Sequence, residues 1–227
     1  MARFAQERVG AFNLPVIRRG MDSGPLVIFA QPLFEEHNRC RKFLSDIARA
    51  LANLGIGSAL PDLPCTGDHT EMSPFDLELA QEAFSAFVHA QSAQVFVLSL
   101  RGGALLAGDG VSHTALAPVW RGARLLVDLI RAHGIGERER TGKPFGRQDA
   151  EQAWARGETC RLAGYDVTPA LAAQLMDRTE ATTDSIATIG GENADYEGPP
   201  VWRQADPVDA AGLASEIAHD LAARVTT

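Results

Sequence analysis

The sequence contains little of what a disulfide-stapled, metal-binding or membrane-spanning protein needs. Its three cysteines, Cys40, Cys65 and Cys160, are widely spaced and form no C-x-x-C pair, which argues against a disulfide framework and a zinc site. The longest apolar runs hold about six residues, far short of the roughly 20 that cross a bilayer. No glycine pattern of the dinucleotide or P-loop type follows the early strands. We therefore expect no metal, no cofactor and no membrane span.

Positive charge is also scarce. The chain has 21 Lys and Arg against 29 Asp and Glu, a net charge of −8, so a nucleic-acid partner is not expected. The first residues lack the apolar core and cleavage site of a secretory signal, which predicts a cytoplasmic protein. A length of 227 residues with 45% hydrophobic composition suits a single globular domain over 1–227, with a homodimer left open.

Short apolar runs alternate with longer amphipathic segments through most of the chain. Four runs are apolar enough to be strands buried on both faces: 25–30, 56–60, 94–100 and 184–190. Between them, Asn38 is a candidate N-cap for a helix over 38–54, and Ser73 for a helix that Pro74 opens. The alternation predicts an α/β fold, a mostly parallel sheet flanked by helices.

The stretch 116–180 breaks this alternation because it offers helices with no strand between them. Such a pattern is typical of a helical cap inserted into an α/β domain. Thr168 and Pro169 predict the start of its last helix, as N-cap and first-turn proline. Beyond it, we expect an edge strand near Val201 and a closing helix over 208–223.

The most informative segment is VFVLSLRGGALLA, residues 95–107, which has the pattern of a strand, a tight turn and an apolar helix. In α/β hydrolases this geometry carries G-x-S-x-G, with the nucleophile at a strained turn. Aligning the glycines puts Ser99 at the first glycine, Arg101 at the nucleophile and Gly103 at the last, with Gly102 between them. Arginine stays protonated and has no lone pair to attack a carbonyl, so Arg101 cannot be a nucleophile.

Two further loops lie where an α/β hydrolase needs them. FAQPLFEEHN follows the first predicted parallel strand, where Leu33 and Phe34 are candidates to supply the N–H groups of an oxyanion hole. PDLPCTGDH follows the next strand and places Cys65 four residues before His69. These two could form a thiolate pair, although a buried thiol and a surface imidazole form the simpler interpretation.

The sequence resembles the exosortase A system-associated hydrolases of type 2. The similarity spans residues 25–178 and lies in PLFEEHNRCRKFLSDIARAL, SLRGGALLA, PVWRGARLLVDLIR and GETCRLAGYDVTPALAA. It implies a serine hydrolase of the α/β-hydrolase superfamily that acts on ester, acyl or peptide bonds, from a gene neighbourhood for exopolysaccharide and protein sorting. The acid of a triad is expected after strand 184–190, where Glu192 and Asp195 lie. No histidine follows Val201 at the usual place, so the triad is degenerate.

The role of Arg101 has two interpretations. It could bind a carboxylate or phosphate beside the helix N-terminus, or fold back onto an acid as a buried ion pair. The candidate acids are Glu35, Glu36 and Asp62. In the first case Trp120 could line the mouth of the pocket.

The loop before the first helix carries a dense ionisable cluster, Glu35, Glu36, His37 and Arg39, which could supply a general acid or base. The alternative is a solvated loop. Two functions follow: an enzyme whose water is activated by His37 or a glutamate, or a non-catalytic hydrolase-like protein that binds a small anionic or acyl molecule.

Overall fold

A mostly parallel β-sheet runs through the chain. The computed structural model describes residues 1–21, 23–66, 74–108, 110–178, 183–204, 206 and 208–226. Its strands are β1 Arg3–Val9, β2 Phe12–Arg19, β3 Leu26–Ala30, β4 Gly57–Pro61, β5 Val95–Leu100, β6 Ser112–Leu116, β7 Cys160–Leu162, β8 Tyr165–Val167 and β9 Ser185–Ala187. Within those ranges, seven strands form one sheet in the order β1-β2-β4-β3-β5-β6-β9.

The central strands β4, β3, β5, β6 and β9 pair in parallel, while β1 and β2 form an antiparallel hairpin at one edge. The predictions for 25–30, 56–60 and 94–100 are confirmed to within one residue at each end. β9 is shorter than the predicted 184–190. The edge hairpin was missed because β1 buries only Val9 and therefore lacks an apolar run.

Helices cover both faces of the sheet. Their bounds are α1 Glu35–Asn53, α2 Leu77–His89, α3 Gly122–Thr141, α4 Arg147–Ala155, α5 Pro169–Asp177 and α6 Ala211–Val225. α1 and α6 pack on one face, and α2, α3 and α5 on the other. The predicted α/β class, a mostly parallel sheet flanked by helices, is confirmed. None of the helices in the described ranges combines the length and hydropathy needed to cross a bilayer.

Two predicted helix starts are wrong. α1 begins at Glu35 after Phe34, so Asn38 lies inside the helix rather than at its cap. α2 begins at Leu77 because the Asp76 carboxylate accepts a hydrogen bond of 2.8 Å from the Leu79 N–H, which is the ordinary role of an N-cap. Ser73 lies outside the described residues.

The stretch 116–180 contains α3, α4, the hairpin β7–β8 and α5, so the expectation of helices without strands was wrong. The start of α5 is confirmed, because the Thr168 hydroxyl accepts from the Leu171 N–H at 3.0 Å and Pro169 comes first.

The segment after β9 also differs from the prediction. The edge strand expected near Val201 is a 3₁₀ turn, Val201–Arg203. Val201 and Trp202 are both buried, whereas consecutive strand residues would point to opposite faces. The closing helix runs over Ala211–Val225 rather than 208–223.

Candidate functional site

The turn after β5 is strained and tightly packed. Arg101 has a φ of 54°, a left-handed conformation that is uncommon for residues other than glycine. A Cβ at Gly103 would lie 2.1 Å from the Ala30 carbonyl oxygen, so only glycine allows the turn to approach β3 this closely. β5 thus ends in a strained turn at the position of a nucleophile elbow, with an arginine at the strained residue. The apolar helix predicted after the turn is a 3₁₀ helix over Arg101–Leu105.

Ser99, two residues before Arg101, is not available to a ligand. It is fully buried, and its Oγ lies 2.7 Å from Nε2 of the buried His113. This serine–histidine pair is part of the interior and satisfies two polar groups there.

The Arg101 side chain is held by an acid, a carbonyl and an aromatic ring. Its Nε donates to both carboxylate oxygens of Glu36 at 3.2 Å, and its Nη2 donates to Oε1 at 3.1 Å. Its Nη1 donates to the Ala117 carbonyl at 3.0 Å, and the guanidinium carbon lies 4.7 Å from the ring centroid of Trp202. Of the three acids considered from the sequence, Glu36 is the partner. One N–H on each terminal nitrogen has no acceptor within the described part of the chain.

Burial shapes the chemistry around this ion pair. The Arg101 and Glu36 side chains are 18% and 21% exposed. Burial raises the pKa of Glu36 above its ordinary value, and the charge of Arg101 opposes that shift. Burial, with the negative charge of Glu36, raises the pKa of Cys40 to about 12, so this thiol is not a nucleophile near neutral pH.

A cleft of about 780 Å³ opens onto the Arg101–Glu36 pair. Among the described residues, five arginines line it: Arg39, Arg101, Arg124, Arg131 and Arg203. Three carboxylates of the described residues do so: Glu35, Glu36 and Asp128. These lining residues carry an excess of two positive charges, although the whole chain has a net charge of −8.

The excess positive charge of the cleft comes from the two arginines that have no acidic partner among the described residues. Three arginines have acidic partners: Arg39 with Glu35, Arg101 with Glu36, and Arg124 with Asp128. Arg131 and Arg203 are exposed, and neither makes an ion pair or a side-chain hydrogen bond to any residue that the structure describes. Their guanidinium groups are therefore available to an anion in the cleft.

Several residues predicted for the site lie at this cleft. Leu33 and Phe34 line it at the start of α1, and Phe34 has a φ of 58°. Gly102 packs beneath Leu125 of α3, whose side chain would lie 3.0 Å from a Cβ at this position. Trp120 is half-buried and is not part of the lining.

Trp202 and Arg203 were not expected at the site, yet both line the cleft. They occupy the segment after the last strand, where we looked for a catalytic histidine and found VWRQAD. A tryptophan followed by an arginine at that position was a signal for a binding surface, because aromatic and guanidinium groups are common anchors of recognition.

His37 faces a different cavity. It lines a space of about 220 Å³ together with Cys65 and Tyr165, and its Nε2 lies 3.3 Å from Nη1 of Arg41. His69 lies outside the described residues, so the Cys65–His69 pair stays a prediction.

The carboxylates considered as triad acids lie in the loop after β9. Glu192 is exposed, and neither it nor Asp195 lines the cleft. The Asp195 carboxylate accepts from the Thr188 N–H at 2.8 Å and from its hydroxyl at 2.7 Å, contacts that lower the pKa of Asp195. The Asp195 carboxylate therefore stabilises the loop in which it lies.

Among the described residues that line the cleft, none is a serine, a cysteine or a histidine. Nor do three histidine, cysteine or acidic side chains converge to hold a metal ion anywhere in the described ranges. The residues present are suited to holding an anion.

The sheet and the elbow together define an α/β-hydrolase-like fold. No protein-family model matches the chain, and no curated protein matches it.

Several solved structures share part of this architecture. An epoxide hydrolase from Vigna radiata is 20% identical over 51% of this chain and 40% of its own, with a TM-score of 0.42. A proline iminopeptidase-related protein from Thermus thermophilus is 18% identical over 59% and 51%, with a TM-score of 0.46. A serine hydrolase without a lid from Xanthomonas campestris is 19% identical over 52% and 61%, with a TM-score of 0.41. The match thus spans 40% to 61% of these structures, and similarities this low carry no inference about activity.

Proposed function

We propose that this α/β-hydrolase-fold protein binds a small anionic ligand in the arginine-lined cleft and does not hydrolyse it through the elbow. The observation that carries the proposal is the charge of the cleft, where Arg131 and Arg203 have no acidic partner among the described residues. Arg101 supports the absence of hydrolysis through the elbow, because a permanently protonated side chain occupies the position of the nucleophile.

In this proposal Arg101 lies at the base of the cleft and does not supply the main positive charge of the site. Glu36 compensates its charge, and three of its five N–H groups are donated within the protein. The two remaining N–H groups have no acceptor among the described residues, but Glu36 offsets the charge that would draw an anion to them. Arg131 and Arg203 supply the uncompensated charge that attracts it.

The experiment combines covalent labelling with ligand-dependent stability. The protein is treated with a fluorophosphonate probe, and its melting temperature is measured in phosphate, acetate and chloride at equal ionic strength. We expect no serine adduct, together with stabilisation by phosphate or acetate. A bound ligand at 100 times its Kd adds about 2.7 kcal/mol to the free energy of unfolding.

An Arg131→Ala/Arg203→Ala variant is the control for general salt effects, because excluded anions also stabilise proteins without binding. If phosphate stabilises this variant as much as the parent, or if the probe labels a serine, the proposal fails.

A second function is favoured by one observation, the raised pKa of Glu36 at the edge of the cleft. A glutamate of this kind can act as a general base. Glu36 would accept a proton from water, and the hydroxide would add to the carbonyl of an ester. The ester C–O bond would then break, with the proton passing from Glu36 to the leaving alkoxide. Loss of ester hydrolysis in Glu36→Gln, with retention in Glu35→Gln, would favour this function.

We also propose that the protein belongs to the type 2 exosortase-associated hydrolases and that its ligand contains an acyl group. We propose further that residues 116–180 form a cap, that the protein forms a homodimer and that it is located in the cytoplasm. The resemblance in sequence motifs supports the family, and the presence of α3 in the cleft wall supports a role for the cap in binding.

A further inference from the structure

We infer that the ligand of the arginine-lined cleft is amphipathic, with a phosphate or carboxylate head group joined to an apolar tail. The inference rests on the proposed function and specifies the class of ligand. It follows from the way in which apolar and cationic side chains divide between the inner and outer parts of the lining.

The most buried residues of the lining form its inner part, and apart from the Arg101–Glu36 pair they are apolar. Leu33, Leu125 and Leu129 are each at most 5% exposed, yet all three line the cleft. The Trp202 ring, 7% exposed, lines it as well. These side chains offer an apolar tail a surface that excludes water.

The Arg101–Glu36 pair does not make this inner part attractive to a free charge. The guanidinium and the carboxylate neutralise each other through three hydrogen bonds donated by two N–H groups. An apolar group can lie beside such a pair without stripping either ion of its partner, whereas a second carboxylate would compete with Glu36. The inner cleft therefore suits the tail better than the head group.

The outer part of the lining is cationic. Arg131 and Arg203 are exposed and have no partner in the described part of the chain, and Arg124 is exposed with Asp128 beside it. A head group at this level keeps contact with solvent while its oxygens accept from guanidinium groups. The ligand is thus oriented with its tail inward and its head at the mouth.

Helix α3 provides one wall for both parts of the ligand. Arg124, Arg131 and Ile135 lie on one face at spacings of seven and four residues, a span of about 16 Å at 1.5 Å per residue. Ile135 is 55% exposed and lines the cleft. The side chain of Ile135 therefore extends the apolar surface beside the arginines.

The test is a series of alkyl phosphates of increasing length. Inorganic phosphate and ethyl, butyl, hexyl and octyl phosphate are titrated calorimetrically into the full chain, below the concentrations at which they form micelles. We expect the Kd to fall about threefold to fourfold per methylene while the tail is being buried. The corresponding alkyl carboxylates test the other head group.

Two buried leucines of α3 provide a matched pair of variants. Leu129 and Leu126 are each 5% exposed, and of the two only Leu129 lines the cleft. We expect Leu129→Ala to weaken octyl phosphate several-fold without changing inorganic phosphate. Leu126→Ala should leave both affinities unchanged.

The outcomes separate this inference from the proposed function. If inorganic phosphate binds as tightly as octyl phosphate, the site takes a simple anion and the inference is wrong, while the proposed function stands. If no phosphate or carboxylate of any length binds, the proposed function fails as well. Equal losses of octyl phosphate affinity in Leu129→Ala and Leu126→Ala would also overturn the assignment of the tail to this cleft.

The ligand could be a free metabolite or a lipid in a bilayer, because both present an anionic head on an apolar tail. Sedimentation with vesicles containing phosphatidic acid distinguishes them. Binding of monomeric octyl phosphate without sedimentation supports the inference with a free ligand as its source. Sedimentation that Arg131→Ala/Arg203→Ala abolishes supports it with a lipid as the source, whereas sedimentation that this variant retains contradicts it.

Discussion

Arg101 and Glu36 form an ion pair at the elbow of this fold, with the guanidinium Nη2 3.1 Å from the carboxylate. The arginine holds a left-handed conformation at the end of β5, and the glutamate lies in the first turn of α1. The pair thus joins the two segments that in an α/β hydrolase would supply the nucleophile and the oxyanion hole.

Glu36 makes stability depend on pH. Its pKa in the folded protein is raised above the ordinary value of 4.5, so folding favours its protonated form. The stabilisation is complete below 4.5 and is lost as the pH rises through the folded pKa. We expect the free energy of unfolding of the parent to fall relative to Glu36→Gln across that window, by about 1.4 kcal/mol for each unit of pKa shift.

The measurement is urea unfolding of both proteins at a series of pH values. Glu35→Gln is the control for loss of a negative charge from the same helix turn, since that side chain is 50% exposed. A difference between parent and Glu36→Gln that is constant with pH, or that grows in favour of the parent as pH rises, would show that burial does not dominate at Glu36.

Gly103 should be intolerant of any side chain. A Cβ there would lie 2.1 Å from the Ala30 carbonyl oxygen and 2.6 Å from that of Gln31, and backbone cannot yield as a flexible side chain can. We expect Gly103→Ala to lower the free energy of unfolding by about 3 kcal/mol, measured by thermal or urea denaturation.

Gly136→Ala is the matched control, because a Cβ at this position of α3 meets nothing within 4 Å. It should stabilise the protein by about 0.8 kcal/mol through helix propensity. Similar stabilities for the two variants would mean that the elbow does not approach β3 as closely as described.

Placing a serine at the elbow should not create catalysis. A serine hydroxyl needs an adjacent general base, and no histidine is present among the described residues that line the cleft. We therefore expect Arg101→Ser to hydrolyse a nitrophenyl ester no faster than Arg101→Ala. A tenfold advantage for the serine variant would reveal a working base beside the turn.

Local sequence patterns were sufficient to predict the tight turn at Arg101 and the strands β3, β4 and β5, whereas the central strand β6 was missed. The strand before Arg101 is apolar except for Ser99, and Gly103 marks the point of closest approach, so neighbouring residues reveal both features. The β1–β2 hairpin was missed because a solvated edge needs no apolar run. β7 and β8 were missed because strands of three residues are too short to show a period.

The binding surface depends on contacts between distant residues. The Trp202 ring packs against the Arg101 guanidinium, although the two residues are about a hundred positions apart in the chain. One sequence gives no indication that they are in contact. Arg131 and Arg203 belong to a helix and to a 3₁₀ turn that only the fold brings to one cleft. The ion pair of Arg101 was anticipated among three acids, and tertiary packing selected Glu36.

The central claim is that the uncompensated arginines bind an anion, and calorimetric titration of inorganic phosphate tests it most directly. The comparison is among the parent, Arg131→Ala/Arg203→Ala and Arg121→Ala/Arg138→Ala, whose exposed arginines at the two ends of α3 do not line the cleft. We predict at least a tenfold weaker affinity, about 1.4 kcal/mol, for the first double variant, and an affinity within about twofold of the parent for the second. Equal affinities in all three proteins, or no binding to the parent, would contradict the claim.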